Sequence, residues 1–574
     1  MRIIVLMLVL VPAIARAQTK DTIINIVLRS VSDFRTAESK RDSVLNHPLG
    51  SNSEADFLRR FTFYDSVNTA LSKIDKTILS TDGLINLELL RYDVEEEVSE
   101  YKYKAYLNPI LSDAGFHTGL PSMGSQLLSK KKEYEDYIKR LKDIPRYIDE
   151  FIVLMRKGIQ LGISQPKSIL TGYENTYEQH IVDDVTKSVF YKPFLKKPDA
   201  ISESEWQTIN EEGRKAVQQY AIAGFGALKT FFDKEYLPKT RKTIGASNFP
   251  DGLAYYQDRT KHYTTTDLSY EDVYQIGLKE VARIKEEMMA VLKGVNFKGT
   301  LQEFITYLRT DPKFYVTTPE QLLKEASYIA KKADGQLPLL FGKLPRQPYG
   351  VEPVPEHLGP TYTAGRYSGS SLNSKRAGFY WVNTYDLKSR PLYNLEALTL
   401  HEAVPGHHLQ IALTKEMNEL PAFRRNLYVN AFGEGWGLYC EFLGTEMGFY
   451  KDPYSRFGRL TYEMWRACRL VLDVGLHTKG WTREQGVNYL AQHTALSLHE
   501  VNTEINRYIS WPGQALAYKM GELKIKELRK KAQEKLKDKF DVREFHDLVL
   551  SQGTVTLKIL EGMVDKWIGE KLKL

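Results

Sequence analysis

Apolar residues at steps of three and four run through the first 340 residues of the chain, and this spacing constrains the fold more than any other feature. Such steps place one apolar stripe on each of a series of helices. The pattern is clearest in three segments, 84–103, 130–157 and 202–237. Capping signals mark further helix starts at Ser269, at Thr300 with Glu303, and at Thr318 with Pro319 and Gln321. We therefore predict a mainly α-helical protein.

A ten-residue stretch, His401–Gln410 (HEAVPGHHLQ), holds three of the twelve histidines and a carboxylate beside the first of them. The zinc-protease spacing H-E-x-x-H puts two imidazoles on one helical face and lets the Glu act on a metal-bound water. Here Pro405 occupies the fourth position after His401. His407 and His408 follow at six and seven residues. On a straight helix the first points roughly 240° away and the second lies about 10.5 Å along the axis.

A proline and a glycine in this stretch allow the helix to leave a straight path. Pro405 has no N–H for the carbonyl four residues earlier, and Gly406 accepts nearly any backbone angle. A bulge that loops out two residues would bring His407 to the usual position of the second ligand, which favours His407 over His408. The alternative is a helix that ends at Val404, followed by a Pro-Gly turn and two ordinary histidines.

Two glutamates in the later stretch GEGWGLYCE extend this candidate metal site. Glu434 is flanked by glycines that let backbone or substrate approach, and it would be the third protein ligand beside His401 and His407. Glu441, two turns later on the same helical face, would orient a ligand histidine. Glu402 would act as general base. For Glu434 the alternative is an exposed carboxylate at a helix start.

Asp473 and His477 stand at i and i+4 in an otherwise apolar helix. An Asp embedded there must find a partner. We assign Asp473, together with His408, to the residues that orient the metal ligands, and His477 to catalysis as an oxyanion donor. A structural His–Asp pair is the alternative.

The stretch 504–518 predicts a helix, a Pro-Gly turn and a second helix. Arg507 can grip a substrate carboxylate with two parallel hydrogen bonds, or form a structural ion pair. Tyr508 is a candidate for substrate binding, and Tyr518 is a candidate donor to a developing oxyanion. Each is one of 35 tyrosines.

Residues 340–376 are rich in Pro, Gly, Tyr and Ser, which predicts a long irregular segment of a functional or mobile kind. The strongest strand signal, Gly378–Thr384, follows it. A strand beside a metal site can bind an extended peptide by adding it to the sheet edge, with Asn383 as a candidate substrate contact. The alternative is a core strand with aromatic packing.

The N-terminus predicts export. Met1–Val11 is a charged start with an apolar run, and Ala15-Arg16-Ala17 supplies a cleavage site, so that residues 1–17 are predicted to be a signal peptide. The run is too short to span a bilayer. The residue directly after the cleavage site is Gln18 and not Cys, which argues against a lipid anchor. We expect a periplasmic or extracellular protein without a membrane span.

Charge and cysteine content exclude one class of partner and leave other questions open. The net charge of +7 comes from bases spread among nearly as many acids, so the chain carries no nucleic-acid footprint. Cys440 and Cys468 allow one disulfide or two buried thiols. The oligomeric state is not set by the sequence.

Four ordered motifs carry a resemblance over nearly all of the mature chain: HExxPGHHxQ at 401–410, GEGWxLYxE at 433–441, RLVxDxGLH at 469–477 and RYxxxPGQA at 507–515. They resemble a bacterial family long catalogued as a domain of unknown function and grouped with the zincin metallopeptidase clan. A weaker similarity extends to helical zinc peptidases of the thimet-oligopeptidase and Taq-carboxypeptidase type.

The resemblance implies a two-lobed helical fold with a deep cleft and a small edge-strand sheet beside the metal helix. It implies Zn²⁺ on His401, His407 and Glu434, with Glu402 as base. This chain departs from the H-E-x-G-H motif of the helical peptidases by two extra residues before its second histidine.

We predict an exported zinc peptidase that hydrolyses short peptides, with carboxypeptidase favoured over oligopeptidase activity because of Arg507. The alternatives are a non-catalytic peptide-binding protein on a peptidase fold and a metal hydrolase of non-peptide amides. A helical N-terminal region is placed at 18–340 and the metal-site region at 341–574.

Overall fold

Helices dominate the computed structural model, which describes residues 20–356, 358–370 and 376–573 of the 574 in the chain. The mainly α-helical class with a small sheet is confirmed. The two-lobed arrangement with a deep cleft stays a prediction. The predicted signal peptide lies outside the described residues. Within the described ranges, no helix combines the length and the apolar character that crossing a membrane requires.

The chain divides into two compact units, and the first ends at Thr243. Two π-helical turns, Val217–Ile222 and Phe232–Tyr236, flank its helix α7. The three segments with the clearest apolar spacing fall on α3, on α4 and on α6 to α8. The helices of this unit are α1 (Thr22–Leu45), α2 (Glu54–Ser72), α3 (Thr81–Lys102), α4 (Lys131–Gln160), α5 (Asn175–Glu178), α6 (Glu203–Ala216), α7 (Ala223–Phe231) and α8 (Leu237–Lys239).

The second unit, Ile244–Leu574, contains the other described helices and the sheet. Ser269, Thr300 and Thr318 cap the helices predicted for them, each in a capping box. The helices are α9 (Gly252–Thr264), α10 (Tyr270–Gly294), α11 (Leu301–Thr310), α12 (Pro319–Leu340), α13 (Leu395–Glu402), α14 (His407–Glu416), α15 (Ala422–Asn426), α16 (Asn430–Leu443), α17 (Pro453–Thr478), α18 (Arg483–His493), α19 (Leu498–Ser510), α20 (Ala517–Leu536), α21 (Val542–Leu550) and α22 (Leu557–Lys573).

The boundary between the units lies on the N-terminal side of the division at residue 340 expected from the sequence. Helix α10 packs along α17, and this contact joins α10 to the metal-site region. Gly277 on α10 permits a close approach, because a Cβ there would come within 2.7 Å of Leu470.

The sheet has three strands, β1 (Tyr349–Pro353), β2 (Gly365–Ser368) and β3 (Gly378–Val382), in the order β1-β3-β2. Strand β3 pairs in parallel with β1 and antiparallel with β2. The strand signal at 378–384 therefore marks the centre of the sheet, and both of its edges are already paired. The expectation that this strand adds a peptide at its edge is corrected, since the free edges belong to β1 and β2. These two strands lie in the segment predicted to be irregular.

Helix α17 is buried around its whole circumference from Phe457 to His477. A helix in such a position must pair its charged side chains. Its arginines do so, with Arg459 on Glu463 at 2.8 Å, Arg466 on Glu441 at 3.1 Å and Arg469 on Glu504 at 2.9 Å. The cysteines Cys440 and Cys468 are free and buried, so that the second of the two cysteine alternatives holds.

Candidate functional site

The histidine stretch folds as two helices joined by a four-residue turn. Helix α13 ends at Glu402, α14 begins at His407, and the Val404–Pro405 peptide bond between them is cis. The turn replaces the two-residue bulge predicted within one continuous helix. It achieves the same result, because it carries His407 back beside His401, with ring centroids 4.7 Å apart.

The turn is fixed by contacts on both of its sides. Gly406 lies against the carbonyl of His401, and an added Cβ would come within 1.9 Å of that oxygen, so that only glycine fits. Trp436 on α16 donates its indole N–H to the carbonyl of Pro405 at 2.9 Å. The turn is thereby attached to the helix that carries Glu434.

Two imidazoles and one carboxylate converge at this point. Glu434 Oε2 lies 3.6 Å from His401 Nε2 and 3.5 Å from His407 Nε2. Two donors that each lie about 2.0–2.1 Å from a tetrahedral zinc are roughly 3.3–3.4 Å apart. The two distances from Glu434 therefore suit one metal ion of this size, and the donor atoms of His401 and His407 lie within 4.8 Å of each other.

Glu402 lies beside the same three groups. One carboxylate oxygen of Glu402 lies within 4.8 Å of the donor atoms of His401 and His407. Its Oε2 accepts the backbone N–H of Tyr367 on β2 at 2.8 Å. Glu434, not Glu402, approaches both imidazoles within 3.6 Å. Of the two carboxylates, Glu434 is therefore the better placed as a third candidate metal donor, and Glu402 lies beside it.

The electrostatics of the cluster favour a positive charge. Burial alone would lower the pKa of His401, but hydrogen bonds with Glu434 and Glu441 and the charge of Glu402 raise it to about 10. Burial likewise opposes ionisation of Glu434, but His407 and His401 hold its pKa well below the ordinary range. The carboxylates outnumber the cations around the imidazoles, which suits a bound cation.

The two imidazoles differ in how they are supported. Glu441 accepts from His401 Nδ1 at 2.8 Å and from Arg466 at 3.1 Å. This bond leaves His401 Nε2 facing Glu434, as a carboxylate behind a metal-binding histidine does. His407 lacks such support: its buried Nδ1 has no hydrogen-bond partner among the residues that the structure describes.

His408 points away from this point of convergence. Its Nδ1 lies 3.0 Å from the Tyr367 hydroxyl, and its ring centroid lies 4.5 Å from that of Tyr349. Burial lowers the pKa of His408 to about 4, so this imidazole is neutral. The choice of His407 over His408 agrees with this placement. His408 supports the adjoining strand β2 and not the metal ligands directly.

Three glycines of α16 explain how the site packs so closely. A Cβ on Gly437 would lie 2.6 Å from the His401 ring, and one on Gly433 would lie 2.4 Å from the Tyr428 ring. A Cβ on Gly435 would lie 2.5 Å from Gly521 of α20. Each glycine around Glu434 thus makes room for a different neighbour.

Asp473 and His477 lie outside the cluster and are bound to other parts of the chain. The Oδ1 of Asp473 accepts from the Tyr256 hydroxyl at 2.6 Å and from the Gly513 N–H at 2.9 Å. His477 Nδ1 accepts the N–H of Ala246 at 3.0 Å, and its Nε2 donates to a backbone carbonyl at 2.9 Å. These contacts join α17 to neighbouring segments, and the structure does not bring either residue to the metal ligands.

The predicted substrate-binding residues of α19 and α20 also have internal partners. Arg507 donates to Gln514 at 2.7 Å and to the Tyr518 hydroxyl at 3.2 Å, and lies 3.4 Å from Glu504. The hydroxyl of Tyr508 is fully buried. It accepts from the indole N–H of Trp465 at 2.7 Å and from the guanidinium of Arg469 at 2.9 Å. The Tyr518 hydroxyl contributes to the raised pKa of Tyr428, the tyrosine that donates to Glu434.

Asn383 follows β3 and is fully buried. Its amide nitrogen donates to the carbonyls of Gly359, Tyr362 and Thr363, each at 3.0 Å, and its oxygen accepts from Tyr385 N–H. The three contacts of the amide nitrogen hold the loop before β2, and the contact of the oxygen holds the segment after β3. Asn383 therefore shapes the edge of the site without an atom left to contact a substrate.

Two site residues were missed by the sequence analysis. The Tyr428 hydroxyl donates to Glu434 Oε1 at 3.1 Å, on the oxygen that does not face the imidazoles. Arg366 on β2 is exposed, and the charges of Glu402 and Glu434 contribute to its raised pKa. Tyr428 lacks a local signal. The Tyr- and Ser-rich composition of residues 340–376 was the available signal for Arg366.

A family model described as a bacterial protein of unknown function (DUF885) matches residues 36–564, and the chain therefore belongs to this family. A candidate lipoprotein from Colwellia psychrerythraea is 28% identical, with a TM-score of 0.84 over 96% of this chain and 100% of its own. A candidate lipoprotein of unknown function from Shewanella oneidensis is 17% identical, with a TM-score of 0.69 over 95% and 100%. No curated protein matches the sequence.

Proposed function

We propose that this member of the DUF885 family is an exported zinc-dependent peptidase that hydrolyses short peptides. The observation that carries the proposal is the convergence of His401, His407 and Glu434, with Glu402 beside them. Two histidines and one glutamate are a known ligand set of catalytic zinc sites, which keep a further position open. The helical setting of this set supports a place in the zincin clan.

The carboxylates around His401 add electrostatic support for a cation at this point. The pKa of about 10 for His401, raised against the effect of burial by its carboxylate neighbours, means that the metal-free site retains a proton at neutral pH. The raised pKa reflects the negative charge of the carboxylates around His401. A divalent ion would satisfy the same carboxylates.

The residues around this point suit peptide hydrolysis. A zinc ion held there would polarise the scissile carbonyl and lower the pKa of an attacking water toward about 7. Glu402 accepts a proton from that water as its oxygen bonds to the carbonyl carbon, and delivers the proton to the amide nitrogen as the C–N bond breaks. The N–H of Tyr367 holds one oxygen of Glu402 at 2.8 Å and leaves the other for the proton.

Export has support from the first 17 residues and from one relative. The charged start, apolar run and A-x-A site are typical of a secretory signal. The relative from Colwellia psychrerythraea is described as a candidate lipoprotein, a class of exported protein.

The test compares zinc content and peptide hydrolysis in the wild type and in Glu402→Gln. The amide keeps the size of the side chain but cannot accept the proton, so turnover should fall by about 10²- to 10⁴-fold. Bound zinc should stay at the wild-type level, because Glu402 is not a ligand. Glu419→Gln, the same change at an exposed position of this region, is the matched control and should retain full activity.

Three results would contradict the proposal. A zinc-loaded wild type that returns every member of a broad peptide library intact would remove the peptidase activity. A wild type that binds no zinc would remove the cofactor. Equal activity in Glu402→Gln and Glu419→Gln would remove Glu402 from the reaction.

A further inference from the structure

Arg366 occupies the middle of β2, the outer strand of the sheet on the side of the cluster. The next residue, Tyr367, donates its N–H to Glu402, so the backbone of β2 touches the proposed base. Side chains alternate between the two faces of a strand. Tyr367 turns inward to His408, and Arg366 lies exposed on the other face.

Aromatic side chains accompany Arg366 on this face. Trp381 of β3 is its partner across the antiparallel pair, and residues directly opposite share a face. The ring of Tyr362 meets that of Trp381 edge-on, with centroids 6.4 Å apart. Both aromatic side chains are partly exposed. The face thus combines one guanidinium with apolar surface, as peptide-binding sites do.

The charge of Arg366 is not matched by an ion pair. No carboxylate among the described residues lies within the 4.0 Å that defines an ion pair with it. Arg466, Arg469 and Arg507, by contrast, each have a glutamate within 3.4 Å. The guanidinium of Arg366 is nevertheless close enough to Glu402 for the two charges to interact.

A bound metal ion would leave Arg366 even less compensated than the three paired arginines. The charges of Glu402 and Glu434 would balance those of a divalent cation, and Arg366 would then have one uncompensated positive charge beside the cluster. A guanidinium presents a planar fork that matches a carboxylate with two parallel hydrogen bonds. The group that fits is a carboxylate brought by the substrate.

We propose that Arg366 binds the C-terminal carboxylate of a short peptide and thereby makes the enzyme a carboxypeptidase. This inference rests on the proposed function, because it names the substrate class of the same site. It moves carboxylate recognition from Arg507, whose guanidinium is held by Gln514, Tyr518 and Glu504, to Arg366 of β2, which has no ion pair among the described residues.

The experiment measures binding of two peptides of the same sequence, one ending in a carboxylate and one in a carboxamide. It uses the full chain with Glu402→Gln and bound zinc, and titration calorimetry as the readout, so that turnover does not enter. We expect the acid to bind about 10- to 100-fold more tightly than the amide. Adding Arg366→Gln should bring this ratio to about 2-fold or less, and Arg366→Lys should restore part of it.

Two further variants complete the design. Arg346→Gln removes an arginine that is also exposed, and it should leave the acid-to-amide ratio unchanged. Arg507→Gln should leave the ratio within about 3-fold of its starting value, because that side chain is already paired. Circular dichroism and zinc content of every variant separate a loss of binding from a loss of fold.

The outcomes distinguish this inference from the proposed function. A ratio that survives Arg366→Gln in a folded, zinc-loaded protein overturns it, as does a ratio lost only in Arg507→Gln. Failure of the parent protein to bind either peptide also overturns it. If the wild type hydrolyses nothing but the ratio depends on Arg366, carboxylate recognition stands and the peptidase activity alone fails.

Discussion

Two clusters of histidine and carboxylate lie in the second unit, and they are built in opposite ways. At the first, His401, His407 and Glu434 direct their polar atoms toward one another at 3.5–3.6 Å. At the second, Asp473 and His477 each turn to backbone groups or to a tyrosine of another segment. Both clusters are buried, and both were assigned to function from the sequence.

The two clusters differ in where their polar atoms find partners. The polar atoms of His477 have hydrogen-bond partners at normal distances, so this side chain has nothing left to offer a ligand. The first cluster gathers carboxylates around two imidazoles and raises the pKa of His401 to about 10. Buried side chains that bond to separate segments of the chain indicate a structural role, and buried side chains whose donor atoms converge on one point indicate a binding site.

The largest contrast between the clusters should come from replacing one carboxylate in each by its amide. We expect Glu434→Gln to lose its bound zinc. Removing a residue that only supports a metal ligand lowers the zinc affinity by roughly 10- to 100-fold, and removing a ligand should lower it further. Asp473→Asn should retain zinc at the wild-type level. Metal analysis after dialysis against a weak chelator measures both. Equal zinc content in the two variants would erase the distinction.

A second contrast concerns stability. His477→Ala leaves the buried N–H of Ala246 without its partner and leaves a cavity, and it removes one of the two hydrogen bonds that the carbonyl of Tyr508 accepts. We expect the free energy of unfolding to fall by about 3–5 kcal/mol, measured by chemical denaturation, with zinc content unchanged. The control His499→Ala, at an exposed position, should change stability by less than about 0.5 kcal/mol. If His477→Ala lost zinc but kept the wild-type free energy of unfolding, His477 would belong to the metal site and not to the scaffold.

The smallest expected effect is a pH dependence from Asp473. Burial raises its pKa from 3.8 to about 7. Between these values the folded chain holds a proton that the unfolded chain has released, so the stability contributed by this group falls as the pH rises from about 4 to 7. Asp473→Asn retains an oxygen for Tyr256 and Gly513 but does not titrate.

Between pH 4 and pH 7 the wild type should therefore lose about 2–4 kcal/mol more of its unfolding free energy than Asp473→Asn loses. Denaturation curves at pH 4 and pH 7 give the comparison. Asp538→Asn, which replaces an exposed aspartate, should follow the wild type. Parallel behaviour of Asp473→Asn and wild type would show that the carboxylate titrates near its ordinary value.

Local patterns predicted the parts of the molecule that local physics decides. Apolar spacing located the long helices, and the capping boxes at Ser269, Thr300 and Thr318 begin their helices at the residues expected. The return of His407 beside His401 was expected from Pro405 and Gly406, because a proline removes one helical hydrogen bond and a glycine accepts nearly any backbone angle. Glu434 was a candidate third ligand because of its flanking glycines, and the full ligand set was implied by the family resemblance.

Contacts between distant segments account for what the sequence did not predict. The partners of His477 come from Ala246 and Tyr508, and no local pattern indicates that these segments meet. Strand β3 gained two neighbours from a segment of irregular composition, which placed it at the centre of the sheet. Arg366 could be singled out only once β2 was known to touch Glu402.

The contact between Gly435 and Gly521 has a mechanical consequence. A Cβ on Gly521 would come within 1.8 Å of the Ala431 carbonyl oxygen. The backbones of α16 and α20 are therefore in direct contact at this point, with no side chain between them. Glu434 and Tyr518 therefore belong to a single stiff block. A displacement of α20 would therefore move Glu434, the candidate third metal donor, as well. Under the proposed function, a bulkier peptide would have to be accommodated on the side of β2, the strand that carries Arg366.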